Sequence, residues 1–301
     1  MTYRGAILDV DGTVVRGDEP IPGAREGLET LAAAGVRRLF VSNNPTKPPA
    51  AYERRFARGG FDVSADEVLT SGSITTRYLA REHPSDRIAV VGERGLTDQF
   101  RAAGLDVVDV ETAADVKTAA DVETAVGADA DEEREADGSE AVVGVGEAGG
   151  EADVLVVSLD REFDYDDLCA AYWTLADGAV TFLGTDPDVI IPAAERDVPG
   201  SGAILNAVAG VAGRDPERVL GKPSAVARRM ALDALGVPPE ECLVVGDRLD
   251  TDVALGARAG MTTALVRTGV TDEAALAAAD VRPDYVLDSL GDVGTVLAAD
   301  G

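Results

Sequence analysis

Lysine is nearly missing from this chain: among 301 residues it stands only at Lys47, Lys117 and Lys222, and arginine supplies the other cations. Positive charge is scarce altogether, with 27 lysines and arginines against 55 aspartates and glutamates and a net charge of −28. Such a surface repels polyanions, so nucleic acid is excluded as a partner. The same imbalance resembles a halophilic protein from a high-salt cytoplasm, where screening weakens the self-repulsion. Cysteine is limited to Cys169 and Cys242, without CxxC spacing. That argues for core residues in a reducing compartment and against a zinc site or a disulfide. The single histidine, His83, lies between Glu82 and Pro84 and reads as a loop residue, not a ligand. No apolar run approaches a bilayer span, and the first residues enter an apolar strand with no leader pattern, so the expectation is a soluble cytoplasmic protein without a membrane partner.

What is present is a repeated alternation of strand and helix patterns. "RGAILDVD" reads as a strand and "GAREGLETLAAAG" as a helix closed by Gly35; "RRLFVSNN", "RIAVVGERG", "LDVVDV", "CLVVGD" and "TTALVRTG" read as further strands with helical stretches between them. This order predicts an α/β fold: a parallel sheet covered by helices on both faces, with ligands bound beyond the carboxyl ends of the strands. Met230 and Trp173 fall on apolar helix faces and read as core. Residues 112–150 break the pattern. "TAADVK" is repeated as "TAADVE", then comes "GADADEEREADGSE" and a glycine-rich run. This composition buries too little apolar surface to offset its ordering entropy and is expected to be a solvated, disordered insertion.

The strand ends carry the chemistry. Asp9 and Asp11 close the first apolar run two residues apart, a spacing that on an extended chain aims both carboxylates one way and calls for a positive charge or a shared proton between them. Ser42 ends "FVSNN", Lys222 lies in "VLGKPS", and Asp247 and Asp252 lie in "LVVGDRLDTD". Brought to one sheet edge, these carboxylates, a hydroxyl and an ammonium suit phosphoryl transfer through an aspartyl-phosphate. A carboxylate nucleophile divides the displacement into two steps, a second carboxylate moves the proton, and Mg²⁺ suits an all-oxygen donor set. Each residue also has a plainer reading: Asp9 or Asp11 as turn aspartates, Ser42 or Asp252 as helix caps, Lys222 as a surface residue at a helix start.

"DVDGT", "VSNN", "GKPS" and "GDRLDTD", in this order, resemble the four motifs of the haloacid dehalogenase (HAD) superfamily. "TDPDVIIPAAERDVPGSGAI", "VVSLDREFDYDDL" and "VRTGVT" narrow the resemblance to subfamily IIA, the NagD-like and p-nitrophenylphosphatase-like enzymes. The resemblance implies a Mg²⁺-dependent phosphatase of small-molecule phosphate monoesters, with a sugar phosphate, phosphoglycolate, glycerol phosphate or nucleoside monophosphate as substrate. Asp9 would be the nucleophile and a metal ligand. Asp11 would be the general acid/base, with its backbone carbonyl on the metal. Gly12 and Thr13 would shape the phosphate loop, Ser42 and Asn43 would bind the phosphoryl group, and Lys222 would neutralise its charge. Asp247 would bind the metal directly and Asp252 from the outer shell. The implied architecture is a Rossmann-like core over 1–79 and 187–301, with an α/β cap inserted at 80–186 and a homodimer formed through that cap. Asp186 stands where the family usually has Asn, near the expected substrate entrance. A hydrolase of another bond on the same fold, and a non-catalytic phosphoacceptor, are the alternatives; the acid at Asp11 argues against a dehalogenase and the inserted cap against a phosphoacceptor.

Loop-closure entropy grows only logarithmically with length, so the acidic insertion contributes little to stability. Replacing residues 114–148 by a short Gly/Ser linker is expected to leave the thermal midpoint in high salt nearly unchanged and to reduce its dependence on salt, as read in melting curves across a salt series.

Overall fold

The computed structural model describes residues 3–110, 152–176, 178–191 and 196–299; the insertion expected at 112–150 lies outside them. Strand β1 (Gly5–Leu8) leads through a ribbon, β2 (Val15–Arg16) and β3 (Glu19–Pro20), to α1 (Ala24–Ala33), β4 (Arg37–Ser42), α2 (Pro49–Arg58), β5 (Val68–Thr70) and α3 (Ser71–Glu82). Next come β6 (Arg87–Val91), α4 (Arg94–Ala102), β7 (Asp106–Asp109), β8 (Val154–Val157), α5 (Tyr165–Thr174) and β9 (Thr181–Gly184). A second ribbon, β10 (Ile190–Ile191) and β11 (Val198–Pro199), precedes α6 (Ser201–Ala212), β12 (Arg218–Val219) and α7 (Ala225–Leu235). The last described elements are β13 (Cys242–Gly246), α8 (Ala254–Ala257), β14 (Thr262–Val266), α9 (Glu273–Ala278), β15 (Tyr285–Leu287) and α10 (Val293–Ala299).

Two sheets result. The first has the order β15-β14-β13-β1-β4-β5 and the second β12-β9-β8-β6-β7, and every pairing within them is parallel. The expected α/β fold is therefore present. The second sheet reaches past position 186, however. Arg218–Val219 pairs with β9, and Ile204, Leu205 and Val208 of α6 pack on the same sheet, so the chain does not return to the first unit at 187.

Side chains alternate across each strand, and the alternation divides them between cores. Ala6, Leu8, Phe40, Leu243 and Val245 face α1, α2 and α10, while Ile7, Leu39, Val41 and Val244 face the other way. On that other side they share one apolar cluster with Ile74 of α3, Phe100 of α4, Ala231 of α7 and Ile88, Val156 and Leu183 of the second sheet. The far face of the second sheet, with Ala89, Leu155 and Phe182, packs on α5 and α6. Strands buried on both faces explain why their sequences are continuous apolar runs.

Cys242 is buried and Cys169 half-buried, and both are free thiols. Trp173 and Met230 pack partly buried against the cores. His83 lies in the loop just past α3 and caps its end: its N–H donates to the Leu79 carbonyl at 2.7 Å, and Nδ1 lies 2.8 Å from Asp86. No described helix is long and apolar enough to cross a membrane.

Helix α2 is fixed to the first sheet by Phe56, which is fully buried, 4.8 Å from the Phe40 ring and edge-on to Phe61 at 6.1 Å. Phe56→Ala is expected to lower the unfolding free energy by about 3–5 kcal/mol, read as a lower urea midpoint at unchanged m-value.

Candidate active site

Register aligns the strand ends that build the site. Leu8 of β1 lies beside Phe40 of β4 and Val245 of β13, so Asp9, Ser42 and Asp247 emerge together at one edge. The Asp9 N–H still donates to the Val245 carbonyl at 2.9 Å, which holds Asp9 in line with the strand. Lys222 arrives differently. It follows β12, a strand of the second sheet, so the expectation that the motifs end strands of one sheet fails for it.

Lys222 organises the cluster. Its Nζ donates to Asp9 Oδ1 and to Asp252 Oδ1, both at 2.6 Å, with only 2 % of the residue exposed. Burial disfavours the ammonium, but Asp252 and Asp9 more than compensate, so it holds its proton more tightly than an ordinary lysine. Its backbone is gripped as well: the Asn43 side chain accepts from the Lys222 N–H at 2.8 Å and donates to the Lys222 carbonyl at 3.2 Å. Asn43 also donates to Asp188 at 3.2 Å. Its amide thus holds Lys222 in place while Asn43 lines the same cavity.

Among the described residues, Asp9, Asp247 and Asp252 offer oxygens within 4.8 Å of one another. Burial, and then the neighbouring carboxylates, raises the Asp9 pKa despite Lys222. Burial and the charge of Asp252 push Asp247 up to about 6. Asp247 Oδ2 accepts the Val270 N–H at 2.8 Å, and Gly12, with φ +94°, passes so near that a Cβ there would meet the same oxygen at 2.5 Å. Asp252 caps no helix ahead of it. It sits in a π-type turn over Leu249–Val253, and its Oδ2 accepts the Arg248 N–H at 3.1 Å. Three buried carboxylates against one ammonium leave an all-oxygen set with uncompensated negative charge, which fits a hard divalent cation.

Asp11 does not share a counter-charge with Asp9. The strand has ended before it, the two-residue alternation no longer applies, and its carboxylate turns to Arg55 at 2.6 Å. Arg55 also donates Nε to the Gly17 carbonyl at 2.8 Å. Ser42 is 2.9 Å from the Tyr52 hydroxyl and accepts the Asn44 N–H at 3.2 Å, closing a local turn. Thr13 is buried, with its hydroxyl a long 3.4 Å from Asp9. Asp186, 2 % exposed, accepts from the Thr185 hydroxyl at 3.0 Å and the Asp188 N–H at 3.3 Å. Burial, then the charge of Asp188, raises it to about 7. Asp11, Arg55, Ser42 and Asp186 line one cavity of about 690 Å³ with Asp9, Lys222 and Asp247.

Tyr52, Arg55, Asp188 and Arg248 were not singled out in the sequence. Arg55 did carry a signal: Tyr52, Arg55 and Phe56 share one helix face at i, i+3 and i+4, and a cation on an apolar face needs a buried partner. Asp188 and Arg248 had none, because their proximity depends on how the two sheets meet.

A family model described as haloacid dehalogenase-like hydrolase matches residues 6–106, and a second, HAD-hydrolase-like, matches residues 219–293. The sugar-phosphatase AraL of Bacillus subtilis is 32 % identical over 297 residues, covering 99 % of this chain and 94 % of its own. The p-nitrophenyl phosphatase from Archaeoglobus fulgidus superposes with a TM-score of 0.80 at 33 % identity, covering 98 % of this chain and 100 % of its own. NagD from Escherichia coli K-12 does so with a TM-score of 0.75 at 27 % identity, over 97 % and 98 %. With the motif residues gathered around one buried ammonium and likeness along nearly its full length, the chain belongs to the haloacid dehalogenase-like hydrolases, on the NagD side of that superfamily.

Proposed function

We propose that the protein is a Mg²⁺-dependent phosphatase that hydrolyses small phosphate monoesters, of the sugar-phosphate kind named for its relatives, through an aspartyl-phosphate on Asp9. The observation that carries this reading is the buried Lys222 ammonium shared by Asp9 and Asp252 at the wall of the cavity. A nucleophilic carboxylate must meet a phosphate dianion, and only a fixed positive charge beside it makes that approach favourable. Asp9 attacks phosphorus as the bond to the leaving oxygen breaks, and Asp11 gives that oxygen its proton. Water then attacks the phosphorus of the acyl-phosphate, its proton passes to Asp11, and Asp9 is released. Lys222 spans both steps, neutralising Asp9 before attack and the phosphoryl oxygens after it. Asp9 and Asp247, with Asp252 behind them, would hold Mg²⁺, which when bound offsets the clustered charge and polarises the phosphoryl oxygens. Ser42, held by Tyr52, presents its hydroxyl to the phosphoryl group. The acidity of the whole chain supports work in high salt.

Phosphate release from p-nitrophenyl phosphate tests the reading. Asp9→Asn is expected to abolish turnover, because an amide forms no acyl-phosphate, and Asp11→Asn to slow it by roughly 10²–10⁴-fold. EDTA is expected to silence the enzyme and Mg²⁺ to restore it; full activity in a metal-stripped sample overturns the metal assignment.

Asp186 lines the same cavity. Its pKa of about 7 in the fold lies above the ordinary carboxylate value. Between those two values the folded protein holds a proton that the unfolded chain releases, so this group's contribution to stability is complete at low pH and is lost as pH rises through 7. Asp186→Asn avoids that loss. The variant is expected to melt above the parent at pH 8, with the difference shrinking towards zero near pH 4.

A further inference from the structure

Arg55 stands on helix α2, not on a strand end, and no motif includes it, yet its guanidinium is committed to the site. Its side chain is only 9 % exposed, whereas Arg58 one turn on is 59 % exposed. Nη2 donates to Asp11 Oδ1 at 2.6 Å, Nε donates to the Gly17 carbonyl at 2.8 Å, and Nη2 also contacts that carbonyl. The guanidinium lies 5.7 Å from the centre of the Tyr52 ring, and the Tyr52 hydroxyl holds Ser42. One face of one helix thus braces both Asp11 and Ser42. Asp11 itself is half exposed and past the end of its strand, so Arg55 is what fixes the direction of its carboxylate. A buried fork with several acceptors is rigid where a lone exposed carboxylate is not.

We propose that Arg55 is a positioning residue, which fixes Asp11 Oδ1 so that the carboxyl group meets the leaving oxygen in a transferable geometry. The proposal rests on the role given to Asp11 above. Proton transfer matters most when the leaving oxygen is basic, so the effect of Arg55 must depend on the leaving group. A merely structural role would lower all substrates alike.

The test measures kcat/KM, which covers phosphoryl transfer to Asp9, for phenyl phosphate and p-nitrophenyl phosphate in the full chain with Mg²⁺. Arg55→Met is expected to lower kcat/KM for phenyl phosphate by about 10- to 100-fold and for p-nitrophenyl phosphate by less than about threefold. Arg55→Lys, which keeps one charge and loses the fork, is expected to recover part of the phenyl phosphate activity. Arg54→Met, on the exposed face of α2, is the control and is expected to change neither substrate. If Arg55→Met melts below the assay temperature, Arg55→Lys decides alone by the same difference between substrates. Equal losses on both substrates, or no loss, overturn the proposal while leaving Asp11 as the acid if Asp11→Asn shows the difference between substrates. If Asp11→Asn shows no such difference, the role of Asp11 fails, and the positioning proposal with it.

Discussion

The arrangement depends on one ammonium group. Lys222 Nζ lies 2.6 Å from both Asp9 and Asp252 in a place almost closed to water. Losing one partner from a buried ion pair costs about 3–5 kcal/mol, because the remaining charge is neither solvated nor paired. Many other contacts keep this ion in register. Asn43 grips the Lys222 backbone at two points, Ser71 holds the Asn43 carbonyl at 2.7 Å, and the Arg248 N–H fixes the far oxygen of Asp252. Glycine occurs where these groups need room: a Cβ on Gly246 would lie 2.3 Å from Asp252.

A second layer of charge surrounds this centre. Asp188 has its pKa raised by burial, which Arg248 partly offsets, and Arg248 in turn reaches the Ile190 carbonyl at 3.1 Å. The ribbon of β10 and β11 is thereby tied to the loop that carries Asp247. The cavity wall is therefore made by both sheets, one supplying the carboxylates and the other the lysine and Asp186.

Much of this was legible in the sequence. The apolar runs and their order gave the parallel α/β fold, because strands buried on both faces leave a signal in composition alone. The positions of Asp9 and Asp247 were legible for the same reason: they interrupt such runs at the carboxyl end, whereas Asp252 lies in the turn beyond. Sheet membership was not, since "RVLGKPS" contains only two strand residues and nothing local tells which sheet they join. The orientation of Asp11 was misread because a two-residue spacing has meaning only while the chain stays extended. The grip of Asn43 on Lys222 was not legible for a subtler reason: its partner is the backbone of a residue 179 positions away, and a backbone partner leaves no trace in residue type.

The strand pairing also constrains how the molecule comes into being. β1 is central in the first sheet, yet one of its neighbours, β13, begins only at Cys242, paired with Gly5. During synthesis the amino-terminal strand therefore waits with one edge unpaired while the second sheet and its helices are made. Asp9 likewise emerges more than two hundred residues ahead of its counter-ion. Contacts of such sequence separation slow folding and leave a bare strand edge open to wrong partners. A nascent chain carrying only the first motif has no site at all; it forms when the last third of the protein has been threaded beside the first strand.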